Sequence, residues 1–330
     1  MYKIENQRLP FRNRVVNEIT SFFLSDTYNG DEKVVIISFK SDKRGSFFMH
    51  NEGKPLISNE ILNRKGARKI SDIPLEVIAL LLRGQLQTVN LTEWLAVDHT
   101  VLLQNVMDEL GVVRESEAII QRVTHMSEKK VMKIIPAIAH EWLVHLEDMT
   151  EPDRLQHYAF LAKHHSDSVR CWAAYMIGLN VQLSLNEKLV GIRPFAADSH
   201  FGVREIAWMA MREATINQLN ESVHYLVDWA RDEDANIRRF AIELTRPHGV
   251  WAKHITALKE DPSIALPLLE LVKSDSSKYV QDSVSNWLND ASKTNPSWVM
   301  DICNQWAKGS DTKETKRIVI RAMRSIVNKK

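Results

Sequence analysis

The sequence predicts an all-α chain in which helix pairs stack into a superhelix (an α-solenoid), preceded by a small appendage containing a β-hairpin. Three observations carry this expectation. Hydrophobic residues make up 44% of the 330 residues, while glycines and prolines number only 11 and 10, so core material is ample and helix breakers are few. Beyond residue 56, apolar residues recur at helical spacing with capping signals between the runs. A sequence template also returns at intervals of about 34 residues, a period of paired-helix repeats.

The elements follow in chain order. Residues 15–24 suit a short helix. Residues 34–40 (Val-Val-Ile-Ile-Ser-Phe-Lys) and 46–50 (Ser-Phe-Phe-Met-His) are β-branched and aromatic, and the turn-forming Ser-Asp-Lys-Arg-Gly between them predicts a hairpin. Gly53-Lys-Pro55 then punctuates the chain, which divides it into an appendage, 1–55, and a helical-repeat domain, 56–330. Within the latter, the helix beginning at Leu75 ends on Gly84, a residue suited to the left-handed position after a helix. Asn90 with Glu93 three residues on reads as a capping box. Residues 131–144 and 155–165 continue the helical series.

The repeat then becomes explicit. Segments starting at Ser166, Ser199 and Asp232 each carry a polar capping turn, a β-branched residue (Val169, Val203, Ile237), an arginine (Arg170, Arg204, Arg238) and a helix containing small residues. Ser274 opens a fourth copy and Thr315 a looser fifth. One helix pair cannot bury its own apolar face, so the copies must stack and leave a concave side. The three arginines form a ladder that either lines that side or satisfies the preceding helix end.

Net charge is +1, but residues 235–330 hold sixteen Lys/Arg and ten Asp/Glu. A basic last third is compatible with a phosphate-facing surface. Cys171 and Cys303 cannot build a disulfide framework and read as buried thiols of a reducing compartment. The start lacks the apolar core of a signal peptide, and no stretch has membrane-span length. The chain is therefore expected to be cytoplasmic and away from membranes.

Most catalytic patterns fail. His140 and His145 are five residues apart, about 140° around a helix, whereas a zinc-binding HExxH pair needs one face. His164-His165 points two ways, and Gly-rich phosphate loops, GxSxG and CxxC are absent from the sequence. No metal or cofactor is expected. The segment around Glu243 survives. Arg239 and Glu243 share a helical face, and Arg246-Pro247 ends that helix. His248-Gly-Val-Trp251 forms a loop able to hold an indole at a groove's rim. In the next copy Asn286, Asn289 and Asp290 lie within about one turn, with Asp290 near a helix end where the macrodipole disfavours a carboxylate. Two explanations remain open: chemistry at these residues, or a salt bridge from Glu243 to Arg239 or Arg246 and ordinary inter-repeat packing for Trp251.

Three strings set these residues in register: Arg238-Arg-Phe-Ala-x-Glu243-x-x-Arg246-Pro-x-x-x-Trp251, then Asp261-Pro-Ser-x-x-Leu-Pro-Leu-Leu-Glu270, then Tyr279-Val-x-x-Ser283-Val-x-Asn286-x-Leu-Asn-Asp290-x-x-Lys293-x-x-Pro296. Together they resemble the AlkC/AlkD superfamily of HEAT-like-repeat DNA glycosylases, the AlkC branch more closely. The resemblance runs from about Asp198 to the C-terminus and is densest over residues 236–296. It implies excision of cationic N3- or N7-alkylated purines from duplex DNA by a monomer, without extrusion of the base. Glu243, Trp251 and Asp290 match the family's sugar-facing carboxylates and aromatic residue. On that match Asp290 positions water, Trp251 lies against the deoxyribose, and Glu243 adds negative potential to an oxocarbenium-like transition state. Arg204, Arg238, Arg239, Arg246, Lys278, Arg317, Arg321 and Arg324 are the expected phosphate-binding set. Two departures stand out. Trp208 occupies the place of a family carboxylate four residues before Arg212, so Glu205, one turn earlier, is the candidate substitute. The loop also lacks the proline that precedes the branch's tryptophan. A non-catalytic protein binding damaged or branched DNA, or a HEAT-type scaffold for a peptide, are the alternative readings.

Overall fold

Helices follow one another through the computed structural model, which describes residues 57–327 apart from position 250. The expected hairpin and the boundary at residue 55 lie outside the described residues. Among the described residues the structure is helical with short connections and has no strand. The helices are α1 (Asn59–Leu62), α2 (Leu75–Leu82), α3 (Leu91–Ala96), α4 (His99–Leu110), α5 (Val113–Thr124), α6 (Val131–Glu147), α7 (Glu151–Ala162), α8 (Asp167–Leu179) and α9 (Leu185–Ala196). They continue as α10 (Phe201–Asn217), α11 (Leu219–Trp229), α12 (Ala235–Leu244), α13 (Thr256–Glu260), α14 (Leu266–Val272), α15 (Lys278–Ala291), α16 (Pro296–Gly309), α17 (Lys313–Ala322) and α18 (Arg324–Val327).

Local signals produce local structure as expected, with one instructive exception. Gly84 follows α2 at φ +70, and the amides of Gly84 and Gln85 close back on Leu81 and Leu80. The Asn90 side chain caps α3 by accepting from the Glu93 amide at 2.9 Å. Glu93, however, does not return to the Asn90 amide. It is buried, accepts from the Val89 amide, and takes two hydrogen bonds from Arg64. A cation brought from residue 64 outcompetes the local capping geometry.

The inner row of the superhelix runs α6, α8, α10, α12, α15, α17, each packed on the next. A core of Val, Ile, Leu, Ala and fully buried Trp172, Trp208 and Trp287 lies between the inner and outer helices. Approach within the row is close. A Cβ at Gly178 of α8 would overlap the Ala210 carbonyl oxygen of α10, so only glycine fits there.

The arginine ladder resolves into joints. Arg170 donates to the carbonyls of His164 and His165, Arg204 to those of Asp198 and Ser199, and Arg238 to those of Asp232 and Glu233. Gln281 occupies the same place in the fourth copy and donates to Asp275 and Ser276. Arg170 also pairs with Asp198, and Arg238 with Asp275, tying each repeat to a later one. Arg204 and Arg238, expected at phosphates, here donate to the carbonyls of the turn before each inner helix.

The N-terminal helices join the array through a buried polar knot. Thr88 donates from its amide and hydroxyl to Asp167, and the His200 Nε2 lies 2.7 Å from the Thr88 carbonyl. Since His200 Nδ1 accepts from the Gly202 amide, its proton sits on Nε2 and the ring donates to Thr88. This knot brings α3 beside the start of α10.

Candidate active site

Three inner helices each present a polar stripe at helical spacing. On α10 the stripe is Glu205, Trp208 and Arg212. On α12 and the residue pair after it, it is Arg239, Glu243 and Arg246. On α15 it is Tyr279, Ser283, Asn286 and Asp290. Stacking of the helices turns these stripes into one chain of charges. Arg239 Nη2 lies 2.5 Å from Glu205 Oε1 and 3.7 Å from Glu243 Oε1. Arg246 donates to Glu243 at 3.0 Å and, through Nε and Nη2, to Asp290 Oδ2 at 2.9 and 2.7 Å. Lys293 Nζ closes the chain on Asp290 Oδ1 at 2.8 Å. Glu243 also accepts from the Ser283 hydroxyl at 2.7 Å.

Glu243 and Asp290 are almost fully buried, yet every oxygen has a partner, as a buried carboxylate requires. The arginines feel both burial and their neighbours. Burial opposes the charge on Arg239, but Glu243, Glu205 and Tyr279 outweigh it and raise its pKa. Burial likewise opposes the charge on Arg246, and Glu243 and Asp290 raise its pKa on balance. Tyr279 covers Arg239, with the guanidinium carbon 4.2 Å from the ring centre, and Arg204 approaches the same ring at 5.4 Å.

Arg212 organises the loop after α12. Its guanidinium donates to the carbonyls of Leu244, Arg246 and Lys253. Burial, with help from adjacent Arg246 and against Glu243 and Asp290, pushes its pKa down to about 10. Trp287 Nε1 holds the Thr245 carbonyl, and the Ile255 amide bonds Pro247. Out of this clamped loop rises Trp251 at φ +60 with 56% of its surface exposed. An indole in the left-handed region and open to solvent is strained locally and held by its surroundings.

Trp208 is buried, and its Nε1 donates to Glu205 Oε2 at 2.8 Å. Trp208 thus orients the neighbouring carboxylate of Glu205. Glu205, Glu243, Arg239, Arg246 and Trp251 line a single cleft of about 240 Å³ whose other wall includes Leu91, Trp94 and Phe201. Asp290 is joined to that cleft through Arg246. Glu205 has a side-chain exposure of 32%, against 4% for Glu243 and about a tenth for each arginine.

The remaining sequence candidates take different places. Arg239 and Arg246 are engaged by carboxylates inside the site. Lys278 is exposed at the start of α15. Arg317 and Arg321 share Asp282, while Arg324 donates to the Arg321 carbonyl and to Asn286. Burial and Arg321, opposed by Asp290, lower the pKa of Arg324. Sequence reasoning quoted Tyr279, Ser283 and Lys293 without giving them a role, and it missed the structural role of Arg212 and the wall from α3. The stripe 279/283/286/290 was a readable signal for the first two, but nothing in the sequence marks Leu91 or Trp94.

A sequence profile of the family described as DNA alkylation repair enzyme matches residues 203–322, the stretch holding all three stripes. Over 97 residues the chain is 40% identical to the uncharacterized protein YhaZ of Bacillus subtilis (strain 168), a match covering 29% of this chain and 27% of that protein. The fold is similar to the Pseudomonas fluorescens alkylpurine DNA glycosylase AlkC, solved bound to DNA containing an abasic site analog. The TM-score is 0.55 at 22% identity, over 68% of this chain and 61% of that one, so the chain spans less than two thirds of AlkC. AlkD2 from Streptococcus mutans superposes with a TM-score of 0.49 at 20% identity, over 63% and 97% of the two chains.

Proposed function

We propose, from the premise that residues 203–322 belong to the DNA alkylation repair enzyme family, that this protein is a DNA glycosylase releasing alkylated purines from duplex DNA. One observation supports the reading above the others: carboxylates from three successive inner helices and an exposed, strained tryptophan converge on one cleft and its adjoining ion chain. The substrate's glycosidic bond is weakened by the base's positive charge, so the enzyme need only stabilise a cationic sugar and deliver water. Trp251 offers an aromatic face to that sugar cation. Glu243 and Glu205 supply preorganised negative potential, and Trp208 fixes the direction of Glu205. Asp290 accepts the proton of the attacking water. The water oxygen bonds to C1′, the C1′–N bond breaks, and its electron pair leaves with the base, which becomes neutral.

Asp290 reaches this role through Lys293. That lysine is 49% exposed while Asp290 is not, so Lys293 is the member of the pair that a backbone phosphate can reach, and its movement to a phosphate would open Oδ1 to water. Lys278, Arg317, Arg321 and Arg324 extend the phosphate track along the basic end. The test is release of free base from methylated duplex DNA by the wild-type chain and by Asp290→Asn. Release by the first and its collapse in the second support the reading, and absence of release across several lesions overturns it. A non-catalytic DNA-binding role is favoured by one observation, Trp208 in a family carboxylate's place. It predicts salt-sensitive binding that Asp290→Asn leaves unchanged.

A further inference from the structure

Helix α15 brings Tyr279, Ser283, Asn286 and Asp290 to the site, and three of the four are engaged inside the protein. Tyr279 lies over Arg239, the Ser283 hydroxyl donates to Glu243, and the two oxygens of Asp290 are held by Arg246 and Lys293. Among the described residues of α15, Asn286 is the one that lines the cleft, with Glu205, Glu243 and Trp251 around it. Its amide oxygen accepts from Arg324 Nη2 at 3.0 Å. A guanidinium only donates, so this contact decides which end of the amide faces Arg324 and turns the NH2 group away from it. Among the described residues that NH2 group meets no acceptor.

Asp290 stands one turn further along α15, 5% exposed and set back from the cleft surface. Residues four apart on a helix share a face, with Cβ atoms about 5–6 Å apart. A single water spans such a gap through two hydrogen bonds of about 2.8 Å each. Once Lys293 has moved to a phosphate, Asp290 Oδ1 offers that water an acceptor and Asn286 offers it a donor. One hydrogen and one lone pair of the water are then fixed, and the remaining lone pair is directed by the two side chains together.

We propose, resting on the glycosylase reading, that Asn286 is a further residue of base release. Its amide donates to the attacking water whose proton Asp290 takes, and Arg324 is a positioning residue that keeps the amide in its donating orientation. As the water oxygen bonds to C1′, its proton passes to Asp290 Oδ1. The C1′–N bond breaks and its electron pair leaves with the base, while Asn286 neither gains nor loses a proton. A donated hydrogen bond draws some electron density from the water. That cost is small where the sugar is already cationic and orientation governs the rate. A mere tie between α15 and α18 would explain the engaged amide oxygen, but not an NH2 group left at the cleft.

The test uses the full-length protein in excess over a methylated duplex, so that the single-turnover rate of base release reports the chemical step. Duplex affinity and urea unfolding are measured on the same variants. Asn286→Ala should slow release roughly ten- to hundredfold and leave affinity and the unfolding midpoint unchanged. Arg324→Ala should slow release by a smaller factor at saturating protein, and should add nothing in the Asn286→Ala background, because it acts through Asn286. Release by Asn286→Ala at the wild-type rate, or losses that multiply in the double variant, overturns this role while the glycosylase reading stands. A slower rate matched by lost affinity or stability also overturns it, and leaves Asn286 as a tie between helices. Absence of release by the wild-type chain overturns the glycosylase reading, and the role of Asn286 with it.

Discussion

The joints between repeats and the ion chain of the cleft use the same two residue types on the same inner helices, yet they are finished differently. At a joint, Arg238 spends its donors on two carbonyls and on both oxygens of Asp275, and the partners are complete within the protein. In the cleft, Arg239 and Arg246 are shared among Glu205, Glu243 and Asp290, and the chain ends on two groups with surface, Glu205 and Lys293. A closed pair holds a solenoid together, whereas a chain with open ends can exchange a partner for substrate. Helix face decides which forms: Arg238 and Arg239 are neighbours in sequence but about 100° apart around α12, so the first meets turn carbonyls and Asp275 while the second meets Glu205 and Glu243.

Asp290→Asn breaks the open chain most severely. Base release should fall by about 10²–10⁴-fold, the contribution of a positioned general base, while circular dichroism stays unchanged. Wild-type turnover in the Asp290→Asn enzyme would move the water-positioning role elsewhere.

Arg238→Ala probes the closed joint and should show the opposite profile. Leaving Asp275, 5% exposed, without its cation should destabilise the fold by about 3–5 kcal/mol in urea unfolding. Turnover per folded molecule should stay within about twofold of wild type. A selective loss of activity would return Arg238 to the DNA-binding set.

A third probe belongs to neither set. His99 is buried, its Nδ1 accepts from Trp172 Nε1, and burial, opposed by Asp98, lowers its pKa from 6.5 to about 4. The unfolded chain binds this proton more readily than the folded one, so His99 makes stability fall as pH drops from 6.5 to about 4. The size of the loss is about 3 kcal/mol. His99→Gln should flatten that part of the stability profile, and an unaltered slope would assign it to other groups.

Trp251→Gly is the mildest change. Glycine accepts φ +60, so relief of backbone strain should raise stability by about 1 kcal/mol. Loss of the aromatic face should lower base release roughly tenfold. Gain of stability with loss of activity is the mark of strain held for function, and a loss of both would make Trp251 a packing residue.

Much of this molecule was legible in its sequence, and the limits are specific. The capping residues and Gly84 act through neighbours a few positions away, so α2 and α3 could be placed from local pattern. The repeat period set which helices lie inward, and the pairing of Arg239 and Arg246 with Glu243 was one of two stated possibilities. The ladder arginines were read in part as phosphate ligands because a sequence shows their number and not their orientation. Only the packed turn reveals that its carbonyls need them. Glu93 shows the same limit, since its partner arrives from Arg64.

What the sequence determined by itself is therefore periodic and local: helices, their caps, a repeat of about 34 residues, and the residue types that carry charge into one groove. Tertiary structure alone decided that Trp208 aims Glu205, that Arg212 clamps the loop bearing Trp251, and that Leu91 and Trp94 wall the cleft from a distant part of the chain. The physical reason is range. Backbone hydrogen bonds and amphipathic faces act within a few residues, whereas the burial that pairs a carboxylate with a cation exists only once separate helices have excluded water between them.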